Sequence, residues 1–379
     1  MTAARSTPLA RRQVALGTSV RAIVILFALT GCDRSPDVEA LLEERWFYLE
    51  AEAQGDTVDV EFPLQAVSTG TGHIDVATHG ISRRVMRLDS AAGLVGLIGS
   101  FGEGPGEYSL PIFLIEKSDS LIVFDVSGRV SVFGPDGNFE RIAFRNPAMT
   151  QSAGQGAVLR GDTLLLAQHI PSLGEFGYPL HIVSPDGQII RSFGVDDRTV
   201  DPDFMMNQWR MIANENDSSV WAVGPAAYSL ELWSMSGVLL RVLEPQRSWW
   251  IPMVWDGSPQ RGSERPHSRA TALYKDQEAD ELLVLIHRAR EDWRPPGDEA
   301  EGGASHLLTD DLAYIEQIVE VLDSRTGDLR TVVVNDTGVY FLRFLSDGRL
   351  FGVRGTEDGL YLPSIWRIGS STTGQRSPP

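Results

Sequence analysis

The 379-residue chain is short of several things at once, and each shortage removes a class of function. It holds one cysteine, so no intrachain disulfide can form, and an exported version must be stable through its core alone. Positive charge is scarce: 33 Lys and Arg against 51 Asp and Glu leave a net charge of −18. Such a surface is repelled by nucleic acid phosphates and by anionic membranes. No G-x-S-x-G occurs, which removes the usual serine-hydrolase signature. No apolar run is long enough to span a bilayer comfortably; the longest, Ala22 to Leu29, is followed at once by small residues. After Thr57 there is no sustained helical period.

The histidines are few and scattered: His73, His79, His169, His181, His267, His287 and His306. Only His73 and His79 lie close in sequence, at either side of one strand-like run, so no zinc-ligand spacing is visible. Asp196 to Asp203, DDRTVDPD, has the acids for Ca2+ but lacks the D-x-D-x-D-G order of a calcium loop. Ca2+ there is an open alternative to the expectation of no cofactor. No catalytic residue is expected from any motif.

What is present comes in three sections. Residues 1–31 carry Arg5, Arg11, Arg12 and Arg21 without an acid, then the apolar run, then Leu29-Thr30-Gly31-Cys32. This resembles a bacterial lipoprotein signal with its lipobox. The resemblance implies cleavage after Gly31, diacylation of Cys32, and membrane attachment through lipid, with the membrane itself left open. Loss of four arginines would bring the mature charge to −22. Residues 32–56 read as an acidic tether with a short helix around Val38 to Arg45. Residues 57–370 read as an all-β domain, and 371–379 as a disordered tail.

The domain is a series of short runs rich in β-branched and aromatic residues, broken by Gly, Asp, Asn and Ser. Ala92-Gly93, Asp136-Gly137, Asp186-Gly187, Ser236-Gly237 and Thr326-Gly327 each separate two such runs, at glycine intervals of 44, 50, 50 and 90 residues. The glycines are expected in two-residue hairpin turns, which need positive φ. An interval of 44–50 is the size of a four-stranded propeller blade. The 90-residue interval shows one further strand pair, at Glu281 to His287, and two polar stretches, 246–277 and 290–310, read as insertions in a single blade. The last unit, Val339 to Ile368, shows three strands. Thr57 to Phe62 is the spare strand expected to complete it and close the ring. Six blades result.

Ile98 to Phe144 resembles one NHL repeat. The matching residues are Gly102, Gly104, Pro105, Gly106, Glu107, Tyr108 and Pro111, then Val123 and Asp125, Arg129, Val130, Val132 and Phe133, and the Asp136-Gly137 turn. With the lipobox, this is similar to the six-bladed β-propeller lipoproteins of bacteria, and implies an NHL/TolB-like propeller. A phosphate cradle is a poor fit to the same loop: Pro105 removes an N–H, Glu103 and Glu107 add negative charge, and a strand follows where a helix is needed. The loop is expected to join two blades at one face of the ring, with Glu103, Glu107 and Tyr108 as candidate binding residues.

The other candidates are aromatic. Trp249, Trp250 and Trp255 stand in the first insertion, Trp293 in the second, and Trp209 with Arg210 at the preceding crossing. Trp and Arg are common binding anchors. The function expected is a cell-envelope binding or scaffold propeller for a protein, peptide or glycan, without nucleic acid. The alternative is a metal-dependent propeller hydrolase or lyase with its site at the central channel.

Overall fold

A computed structural model describes residues 45–55, 63–79, 83–146, 154–168, 170, 178–195, 210–224, 228–252, 265–293, 312, 314–356 and 361–372. Cys32, the signal, the loop 196–203, Thr57–Phe62, Trp209 and Trp255 lie outside them.

Six four-stranded antiparallel sheets follow one another along the chain. In chain order, β1 is Arg45–Gln54. The first blade is β2 (Pro63–Ser68), β3 (Ile74–Thr78), β4 (Val85–Leu88) and β5 (Leu94–Ile98). A two-residue pair, β6 (Ser100–Phe101) and β7 (Glu107–Tyr108), precedes the second blade. That blade is β8 (Pro111–Lys117), β9 (Ser120–Asp125), β10 (Arg129–Phe133) and β11 (Phe139–Arg145). The third is β12 (Gln155–Val158), β13 (Leu164–Ala167), β14 (Leu180–Val183) and β15 (Ile189–Phe193). The fourth is β16 (Met211–Asn216), β17 (Ser219–Val223), β18 (Leu230–Ser234) and β19 (Leu239–Leu243). The fifth is β20 (Arg269–Asp276), β21 (Glu281–Ala289), β22 (Ile315–Asp323) and β23 (Leu329–Val334). The sixth holds β24 (Tyr340–Phe344), β25 (Leu350–Gly355) and β26 (Tyr361–Thr372), with β1 as its outer strand.

The first strands β2, β8, β12, β16, β20 and β24 neighbour one another in that order, and β24 returns to β2. This is a closed six-bladed β-propeller. Its core is not one central mass but six layers, one in each seam. Ile98 and Val85 of the first blade meet Phe133, Leu114 and Tyr108 of the second, and each further seam repeats the pattern. Middle strands such as β3, β4, β9 and β10 are buried throughout. Their apolar residues are interrupted by buried polar ones such as Asp75, Arg87 and Arg129, which find partners inside the sheets.

Closure is made by β1, whose Leu49 lies opposite Ile368 and whose Arg45 lies opposite Thr372. Glu52 fixes the strand with ion pairs to Arg367 at 2.6 Å and Arg349 at 3.7 Å. The closing strand thus lies within the stretch expected to be a tether, which corrects the reading of 45–54. An N-terminal strand does close the ring.

Two further readings change. The repeated glycines sit in longer turns than two residues. In the second blade, the Gly137 N–H donates to Gly134 O, the Gly134 N–H donates to Asn138 O, and a bulge follows. Gly137, Gly187, Gly237 and Gly327 take positive φ there; in the first blade Ala92, at φ 62°, takes that place. The same turn recurs at Gly72, between β2 and β3, and at Gly348, between β24 and β25. Second, the stretch expected as an insertion over 246–277 contains β20, the first strand of the fifth blade. The polar connections proper run from 244 to 268 and from 290 to 314.

Candidate functional site

The glycine-rich loop is built as a seam. Positive φ at Gly99 and Gly106, 68° and 77°, lets the chain double back so that β6 and β7 pair in parallel. A Cβ on Gly99 would come within 2.6 Å of Gly106 O. The N–H groups of Ser100, Gly102 and Glu107 bond within the loop, and that of Gly104 donates to the Glu107 carboxylate at 2.7 Å. The outward dipoles are carbonyls, and they converge on a cation. Arg129 donates to Glu103 O at 2.7 Å and to Gly104 O and Gly102 O at 3.2 Å. Asp125 holds the other side, accepting from the N–H groups of Ser109 and Leu110 and lying 3.7 Å from Arg129. This polarity is the reverse of an anion cradle. Tyr108 is buried, with its hydroxyl donating to Ile98 O and accepting from Val85 N–H. Burial pushes that phenol up to about 12. Glu107 and Tyr108 are therefore spent on joining blades.

Trp249 and Trp250 pack against the ring. Trp250 stacks on Tyr228 at 4.9 Å, Trp249 lies beside Trp250, and both cover the apolar seam between the fourth and fifth blades. Arg288 caps the Trp249 ring at 5.0 Å and pairs with Glu316. Beneath them Glu320 is fully buried. It accepts two bonds from Arg247, at 2.6 and 2.9 Å, and one from the Tyr228 hydroxyl at 2.5 Å. Arg210 is also buried, 4.0 Å from Glu231. Trp293 is half-buried and follows a turn closed by its own N–H on Arg290 O.

Strand direction separates these residues from a second place. Connections from β5 to β8, β19 to β20 and β21 to β22 all leave the sheets at one end. A cavity of about 410 Å³ lies toward the other end. It is the central channel, lined by the later residues of the first strands and by the turns after β20 and β24. Ala66, Glu116, Ala157, Ala213, Lys275 and Arg343 bring one contribution from each blade.

Three of its residues carry charge. Lys275 is committed, donating to Asp280 at 2.8 Å and to Asp276 O at 3.0 Å. Glu116 is half-buried, and desolvation raises its pKa against a hydrogen bond with Ser346. Ser346 in turn bonds Ser68 at 2.6 Å across the seam between sixth and first blades. Arg343 has no such arrangement. Its Nε is out of reach of water and of any hydrogen-bond partner, and burial alone lowers its pKa to about 10. Sequence reasoning passed over Arg343 because it sits inside an apolar strand, FLRF, where an arginine signals nothing by itself.

Among the described residues, no three His, Cys, Asp or Glu side chains gather closely enough to hold a metal ion. His181 and His287 are buried in blade cores, hydrogen-bonded to Ser192 and Gln317 respectively. No described helix is long and apolar enough to cross a membrane.

Fold and cavity together define a six-bladed β-propeller with a partly polar central channel. No protein-family model matches the chain, and no curated protein matches it. Among solved structures, a Bacteroides fragilis protein described as exported aligns over 85% of this chain and 95% of its own. Its TM-score is 0.54 at 12% identity. A streptogramin B lyase covers 85% and 98% at TM-score 0.41 and 11% identity. A Staphylococcus aureus virginiamycin B lyase with quinupristin covers 84% and 99% at 0.43 and 11%. The first likeness shows the fold alone, and the two lyases superpose too loosely to carry an argument.

Proposed function

We propose that this chain is an exported, lipid-tethered propeller that binds a ligand group in its central channel and does not turn it over. The channel cavity carries the reading. It is concave, reached by all six blades, mixed in polarity, and large enough for a small molecule or the end of a longer chain. A protein, peptide or glycan partner would enter it by one terminal group rather than by a broad face. Trp249 and Trp250 rest on the seam between the fourth and fifth blades, which favours the channel over a rim of aromatic anchors.

Export and tethering rest on the n-region, the apolar run and Cys32 at the end of Leu29-Thr30-Gly31. The name of the Bacteroides fragilis structure agrees with an envelope location. One fatty-acyl chain holds a protein to a bilayer only marginally, whereas two hold it firmly. Cys32→Ala should therefore move the protein from the membrane to the soluble fraction, and continued membrane association would overturn the tether.

The channel reading is tested by ligand-observed NMR on the full chain in detergent, using a mixed library of small acids, amines, sugars and peptides. Ala157→Trp fills the channel and serves as the control. Binding that Ala157→Trp abolishes is the expected result; hits that survive it would place recognition elsewhere.

A further inference from the structure

We propose that Arg343 is the recognition residue of the channel, and that the group it takes is a single carboxylate carried on an apolar body. The inference rests on the channel reading above and names the chemistry of what enters.

In a chain with 51 acids and 33 basic residues, a buried arginine would ordinarily be met by a carboxylate. Arg87 is held by Asp75 at 2.8 Å, Arg210 lies 4.0 Å from Glu231, half-buried Arg247 is held by Glu320 at 2.6 Å, and Arg129, whose Nε also lacks a partner, lies 3.7 Å from Asp125. Arg343 differs in having no carboxylate partner among the described residues, at the wall of a cavity. It forms no ion pair with a described residue, its Nε lacks a partner, and it is half-buried on the wall of the 410 Å³ cavity. A guanidinium desolvated without compensation opposes folding. An incoming oxyanion would supply the missing partner, and a planar carboxylate matches the guanidinium fork.

Charge count separates a carboxylate from a phosphate. The second cation of the channel, Lys275, is already neutralised by Asp280, so a dianion would be left with net negative charge. Glu116, the one acid among the described residues of the lining, stands on the second blade. One guanidinium and one monoanion balance.

The remaining lining decides the body of the ligand. Gln155 spends its oxygen on Ile212 N–H, Gln277 spends its amide on Asn214 O, and Ser68 and Ser346 bond each other. The Asn214 amide and the Tyr274 hydroxyl keep unspent groups, fewer than the many hydroxyls of a sugar acid would need. Val67, Ile212 and Phe344 offer apolar surface instead.

The test titrates the full chain in detergent with N-acetyl-leucine, N-acetyl-leucinamide, glucuronate and inorganic phosphate, by calorimetry. N-acetyl-leucine should bind, with the amide, glucuronate and phosphate each at least about tenfold weaker, as loss of a charge-assisted hydrogen bond predicts. Arg343→Gln should weaken N-acetyl-leucine by a similar factor, and Arg343→Lys should recover only part of it. Thermal melting adds a second readout. Without ligand, Arg343→Gln should melt at or above the parent temperature, because an uncompensated charge has been removed. Equal binding of acid and amide that Ala157→Trp abolishes would overturn the role of Arg343 and leave the channel reading standing. Preferential binding of glucuronate or phosphate would overturn the apolar carboxylate. Binding by none of the four would remove both. A marked fall in melting temperature for Arg343→Gln would make the residue a structural brace and overturn the proposal.

Discussion

The Arg129 guanidinium donates to the backbone carbonyl of Glu103 at 2.7 Å, across 26 positions of sequence. It thereby ties the outer half of one blade to the loop that enters that blade. The motif residues that made this stretch recognisable are therefore one object in space. Asp125 and Arg129 brace the loop from below, while Gly102, Gly104 and Glu107 shape it from above. Arg129→Met should destabilise the protein by about 3–5 kcal/mol, because it strands a buried carboxylate and three carbonyls. Asp125→Ala should cost a similar amount, and the double variant much less than the sum. Denaturant unfolding measures all three; additive losses would show that the two residues act separately.

Trp249→Ala combined with Trp250→Ala should behave as a core lesion. Trp250 stacks on Tyr228 and both rings cover the seam between the fourth and fifth blades. A loss of about 3 kcal/mol or more in unfolding free energy is expected. Retention of parent stability would return these residues to the role of exposed binding anchors.

Acid should weaken the fold through His287. It is buried, and desolvation and Arg269 hold its pKa well below the ordinary value. The unfolded chain, titrating near 6.5, then takes up the proton first. Stability from the neutral ring is full above about pH 6.5 and is lost as pH falls, by about 1.4 kcal/mol per unit, until the folded pKa is reached. Asp323, held down at about 2 by Arg330, titrates below this window. The slope of unfolding free energy between pH 7 and 5 should therefore flatten in His287→Gln; an unchanged slope would assign it to other groups.

Deleting Arg45–Gln54 should open the ring. The edge of β26 would be exposed and the packing of Leu49 in the last seam lost. A melting temperature lower by about 4 °C or more is expected, partly restored by adding the peptide RWFYLEAEAQ. Parent-like melting would mean that closure does not depend on β1.

The blades were legible because the same turn recurs with a positive φ at its last residue, and because most blades bury their middle strands. Where the pattern failed, a physical reason is at hand. RWFYLEAEAQ reads as an acidic leader because its partner, β26, is at the far end of the chain, and local composition holds no trace of that pairing. SRATALYKD reads as a polar insertion because β20 borders the channel, where small and charged residues replace the apolar run. The turn at Asp347-Gly348 escaped notice because it joins first and second strands rather than third and fourth. Arg343 was invisible for a different reason: the absence of a partner is a property of the assembled ring, and no window of sequence contains it.

The pairing of Arg45 with Thr372 also sets an order of events. Whichever way the chain is delivered, its first strand emerges long before the strand that it must lie against. During that interval five blades can form by local hairpins, but the ring stays an open arc with two unmatched flanks. Completion is then a single late step, and cleavage between blades before it would release fragments with adhesive edges rather than smaller propellers.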